Sequence, residues 1–181
     1  MKKIYLFLLL NTALLFGEKN AYIVTGPEST GSMFITEHTA NVLGCKAFYG
    51  KSVGRSLTDD TVVVHISQPF GKANNFLTLN NFRDWLSGYK LHFILTTRDK
   101  NIVKRSKNRR FGHRKAFFSS DEETSKAILT EIMKTERFII WNYETMIYLN
   151  EAYFNQLHTF LGVESAIYPQ NLFDANGKHV K

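Results

Sequence analysis

The chain has 181 residues, 44% hydrophobic and 14% aromatic, which is enough to bury one sizeable core and too little for two. Its 23 lysines and arginines against 16 aspartates and glutamates give a net charge of +7, which favours an anionic partner: a nucleotide, an acidic glycan, a nucleic acid or a membrane surface. A single cysteine, Cys45, excludes an internal disulfide and offers no metal-ligand spacing.

At the amino terminus, Lys2 and Lys3 precede an uncharged apolar run from Ile4 to about Gly17, the order of a secretory signal peptide. The run is shorter than the roughly 20 residues of a membrane-spanning helix. Residues 1–17 are therefore expected to be a signal peptide or short membrane anchor, which implies the secretory pathway or membrane association through residues 4–17. The alternative is a buried first element of a cytoplasmic protein. Residues 18–181 then make a single α/β domain.

Ala21 to Thr25 (AYIVT) reads as a buried strand before a Gly-Pro turn, and Ser32 to Leu43 as the helix after it. Thr61 to Ile66 (TVVVHI) is a β-branched second strand, Asn81 to Leu86 a short helix and Leu91 to Thr97 (LHFILTT) a third strand. Asp99 caps a helix to about Lys107, and Ser120 or Asp121 caps a longer one to about Thr135. Phe138 to Tyr143 (FIIWNY) is a fourth strand, and Asn150 to Leu161 a last amphipathic helix ended by Gly162. Strands alternating with helices imply a mainly parallel sheet flanked by helices, a three-layer α/β fold whose ligands sit at the carboxyl ends of the strands.

The segment Gly26-Pro27-Glu28-Ser29-Thr30-Gly31-Ser32 falls between the first strand and its helix. Two glycines separated by four residues let the backbone wrap closely around an anion, and the helix adds the partial positive charge of its amino end. The hydroxyls of Ser29, Thr30 and Ser32 are further donors. The segment is therefore expected to bind phosphate, in a P-loop-like fold. A magnesium-dependent P-loop would carry Lys and then Ser or Thr after the second glycine, where this chain has Ser32 and Met33. Up to Gly31 the loop resembles that of ribosylnicotinamide kinases, so a nucleoside kinase is one reading, disfavoured by Met33.

Further elements follow in order. His65-Ile66-Ser67-Gln68-Pro69 ends the second strand, Arg98 closes the third, Ser106 follows eight residues later, and Tyr143-Glu144-Thr145-Met146 leads into a helix ending Phe160-Leu161-Gly162. With the phosphate loop, this order resembles the sulfotransferase family. The resemblance implies 3′-phosphoadenosine 5′-phosphosulfate as co-substrate, its 3′-phosphate on Arg98 and Ser106, and transfer of a sulfuryl group to an acceptor hydroxyl, such as that of an anionic glycan. His65 is then the candidate base, since an imidazole can accept a proton at neutral pH. Glu28, a carboxylate inside the loop, competes for that role. No metal is required. The family's loop lysine is absent, with Ser29 in its place, and Lys72 is a candidate substitute. The basic stretch Lys104 to Lys115 suits an acidic acceptor; without a nucleic-acid fold signature, that partner is disfavoured. A non-catalytic nucleotide- or glycan-binding descendant is the rival reading.

Overall fold

A computed structural model describes residues 18–50, 57–70, 75–111, 119–164, 167–170 and 172–177. The expected signal or anchor segment 1–17, Lys72 and the end of the basic stretch lie outside the described residues. Among the described residues, no helix is long and apolar enough to cross a membrane.

Five parallel strands form one sheet: β1 (Lys19–Gly26), β2 (Ala47–Tyr49), β3 (Thr61–Ser67), β4 (Tyr89–Thr97) and β5 (Arg137–Asn142), in the order β2-β3-β1-β4-β5. β1 lies at the centre, paired with β3 from Asn20↔Thr61 to Gly26↔Ser67 and with β4 from Lys19↔Tyr89 to Thr25↔Leu95. Its side chains alternate between the two faces, as a strand requires. Ala21 and Ile23 pack with Val62, Val64, Phe82, Phe93 and Ile132 on one face. Tyr22 and Val24 pack with Ile35, Val63, Ile94, Trp141 and Phe154 on the other. Covered on both sides, β1 reads as a continuous apolar run.

The first face is covered by α2 (Leu79–Trp85) and α4 (Ser119–Thr135); the second by α1 (Ser32–Val42), α5 (Tyr143–Leu149) and α6 (Glu151–Leu161). α3 (Lys100–Phe111) follows β4, and Asp99 starts it, its Oδ1 accepting from the amides of Asn101 and Ile102 at 2.9 Å. Helices on both faces of a parallel sheet make the expected three-layer α/β architecture.

Two elements depart from the sequence reading. β2 is only three residues long and sits at the sheet edge beside β3. The last helical region is two helices, because Asn142 caps α5 through its side chain, accepting from Thr145 N at 2.8 Å, and Asn150 (φ 47°) breaks the path before α6.

Candidate functional site

After β1 the chain must turn sharply and start α1, and the loop residues are fixed one by one. A Cβ at Gly26 would lie 2.3 Å from the Thr96 carbonyl oxygen, so β4 presses against the start of the loop. Ser29 (φ 66°) and Gly31 (φ 82°) are both left-handed on either side of Thr30, an alternation that turns successive N–H groups toward one side. Gly31 is also the first cap position of α1. No side chain caps that helix and no acidic residue lies in its first turn, which leaves the partial positive charge of its amino end facing the loop.

The three loop hydroxyls differ. Thr30, 2% exposed, is turned inward: its Oγ1 lies 2.8 Å from the Pro27 carbonyl and 2.7 Å from Thr96 Oγ1. The proton order that satisfies both has Thr30 donating to the carbonyl and accepting from Thr96. Thr30 therefore ties the loop to β4 instead of facing a ligand. Ser29 offers its backbone carbonyl to Arg98, which donates from Nη1 at 3.0 Å. Ser32, the first residue of α1, places Oγ 2.7 Å from His65 Nε2.

That contact follows from strand geometry. His65 pairs with Val24 across the sheet and shares the α1 face with Val63, so its ring reaches the start of α1. Tyr49 lies beside it, ring centroids 5.9 Å apart, and hydrogen-bonds Glu37. Burial lowers the His65 pKa below the ordinary imidazole value, so the ring is neutral at physiological pH and one nitrogen can accept a proton. Glu28 is half-buried within the loop.

Arg98, immediately after β4, lies over the Tyr143 ring at 4.2 Å. Its Nε and Nη2 donate to Asn176 Oδ1. Ser106 is half-buried two turns into α3, while Arg98 bonds Ser29 and Asn176. The structure thus brings the loop, His65 and Arg98 to one end of the sheet, but joins Arg98 to Asn176 and not to Ser106. In the basic stretch, Lys104, Arg105 and Arg109 are exposed on α3. Sequence reasoning missed Asn176 and Glu144 as members of this group; Glu144 accepts from Asp99 N at 3.2 Å and from Asn176 Nδ2 at 3.1 Å.

No family model and no curated protein matches the chain. Among solved structures, it is similar to an unliganded sugar kinase from Janibacter sp. HTCC2649, with a TM-score of 0.55 and 14% identity over 84% of this chain and 99% of that one. It is also similar, more loosely, to a gluconokinase from Sinorhizobium meliloti 1021, at TM-score 0.40 and 17% identity over 67% of this chain and 81% of that one. At 14% identity the first likeness establishes the shared fold.

These findings correct the family reading. The fold is shared with a sugar kinase and no sulfotransferase family model matches, so that assignment is set aside, with 3′-phosphoadenosine 5′-phosphosulfate as donor and an anionic glycan as acceptor. The physical reason is that a strand-end histidine and a strand-end arginine beside a phosphate loop follow from the α/β topology itself, which brings strand ends together whatever group is transferred. Membrane association through residues 4–17 likewise gains no support.

Proposed function

We propose that the chain is a P-loop phosphotransferase that seats the phosphates of an ATP-type nucleotide in Gly26–Ser32 and acts on a small hydroxyl-bearing substrate, a sugar or a nucleoside. The observation that carries this reading is the uncapped, left-handed Gly31 opening α1 at the carboxyl end of the central strand. The fold shared with a sugar kinase supports it. In this reading residues 18–181 act as one domain and residues 1–17 stand outside it.

In the transfer, the acceptor oxygen attacks the γ-phosphorus, the bond from that phosphorus to the β–γ bridging oxygen breaks, and the electron pair leaves with the nucleoside diphosphate. The acceptor proton passes to the His65 imidazole, with Glu28 the next candidate base. The loop amides and Ser32 hold the phosphates, and Arg98, which donates to the Ser29 carbonyl, supplies positive charge beside the loop. Magnesium, which P-loop enzymes hold through a Ser or Thr after the loop lysine, does not fit in that way: Met33 stands there, 52% exposed and without an oxygen.

Two outcomes are expected. Calorimetric titration should show ATP binding to the wild-type chain and not to Gly31→Val, because a Cβ at Gly31 would lie 2.8 Å from Tyr143 Cδ2 and force the loop from its left-handed turn. Equal binding by both proteins would remove the phosphate seat. His65→Ala should lower turnover by about 10² or more, the scale of losing a general base, with nucleotide affinity little changed; full turnover would pass the role to Glu28.

A second reading, a nucleotide-binding descendant without catalysis, is favoured by Ser32 and Met33 at the positions of the loop lysine and the metal-binding hydroxyl. ATP binding with no phosphoryl transfer to any sugar or nucleoside in a broad panel would select it.

A further inference from the structure

The carboxy-terminal segment 172–177 lies against the candidate site through a set of specific contacts. Tyr143 Oη donates to the Phe173 carbonyl at 3.2 Å and accepts from Ala175 N at 2.9 Å, which fixes the segment over the ring that also carries Arg98. Asn176 then meets Arg98 with its carbonyl oxygen and Glu144 with its amide nitrogen. The opposite amide orientation would set NH2 against a guanidinium and oxygen against a carboxylate, so the two partners fix the side chain. Glu144 is held in turn by the Asp99 amide.

The same contacts account for the donors of Arg98. Of its five N–H groups, Nε and one on Nη2 go to Asn176, and one on Nη1 goes to the Ser29 carbonyl in the loop. Among the described residues one N–H on each Nη has no hydrogen-bond partner, on a guanidinium tied to the loop backbone on one side and to Asn176 on the other.

We propose that Asn176 is a positioning residue for Arg98, locking its guanidinium beside the loop as the cation that serves there in place of the lysine the loop lacks. The proposal rests on the phosphate seat described above. A held arginine loses little freedom when the anion arrives, whereas a free one must be ordered first. Asn176 thus acts through Arg98 and touches no ligand itself.

The test is calorimetric titration of the full chain with inorganic pyrophosphate, using the wild type, Arg98→Ala, Asn176→Ala and the double variant. Thermal unfolding of each variant checks that the fold is retained. Asn176→Ala should weaken pyrophosphate about tenfold, the scale of one charge-assisted hydrogen bond. The double variant should be no weaker than Arg98→Ala alone. Asn176→Asp, which keeps an acceptor for Arg98 but cancels its charge, should also weaken binding. Unchanged affinity in Asn176→Ala, or losses that add in the double variant, would overturn the proposal, since a merely structural asparagine acts whether or not Arg98 is present. A folded wild type that binds no pyrophosphate would instead remove the phosphate seat, and this role with it.

Discussion

Acidification from pH 7 to 4.5 is expected to remove several kcal/mol of folding stability, through two buried histidines. His92 is 2% exposed; its Nε2 donates to Asn20 Oδ1 at 2.8 Å and its Nδ1 faces Arg137 at 3.5 Å, a geometry that suits only the neutral ring. Burial and then the positive charges of Arg137 and Lys90 lower its pKa to about 4, against a weak opposing pull from Glu18. His38 is 8% exposed, packed edge-on to Phe154, with its Nε2 3.4 Å from that of His158. Burial, and then the neighbouring imidazole, lower its pKa to about 4 as well. In the unfolded chain both rings take up protons near the ordinary value of about 6.5. Their contribution is therefore complete above that pH and is lost as pH falls toward the folded value near 4. Each ring contributes up to roughly 3 kcal/mol at its limit, a large share of a typical total of about 5–15 kcal/mol. Urea denaturation at steps between pH 7.5 and 4.5 measures the slope. Flat stability across that window, or a slope unchanged in a His38→Gln, His92→Gln double variant, would remove the explanation.

Gly26→Ala is expected to lower stability by roughly 3–5 kcal/mol, within the range reserved for severe backbone or core defects. The methyl carbon would lie 2.3 Å from the Thr96 carbonyl oxygen and 2.6 Å from Thr96 Oγ1, with Gly26 at φ 153°, where side chains rarely occur. Neither neighbour can yield cheaply, because Thr96 is a fully buried part of β4 and its hydroxyl anchors Thr30. β1 and β4 would have to part at their carboxyl ends, opening the loop as well. Melting temperature should fall by about 10 °C or more; a variant melting with the wild type would show that β4 has room to shift.

The sheet was legible because its central strands are short apolar runs bounded by turn residues, as in AYIVT before Gly26-Pro27, and because helices separate them. β2 was not, since three residues at an edge carry no pattern that a loop could not also show. α5 was hidden by its cap: Asn142 both ends β5 and starts the helix, so no break in composition marks the change. In the candidate site, the glycine spacing and its place between strand and helix exposed the loop. The inward turn of Thr30 depends on Thr96, and the setting of Arg98 on Asn176, partners 66 and 78 residues away that no local pattern reports. The family reading failed at the same scale. His65 and Arg98 belong to short patterns that many parallel sheets place at strand ends, whatever chemistry those ends carry.

Among the described strands, the earliest in the chain is the middle one of the sheet. While the chain is being synthesised, β1 leaves the ribosome with neither of its neighbours; Ala21 must wait for Val62 and then for Leu91. At about 5–20 residues per second, the interval before β4 exists is roughly 4–14 s. Through that time a run whose four central residues, Ala21 to Val24, end almost fully buried has both hydrogen-bonding edges open. The order of the strands thus leaves β1 open to capture, by a chaperone or by another nascent copy of itself.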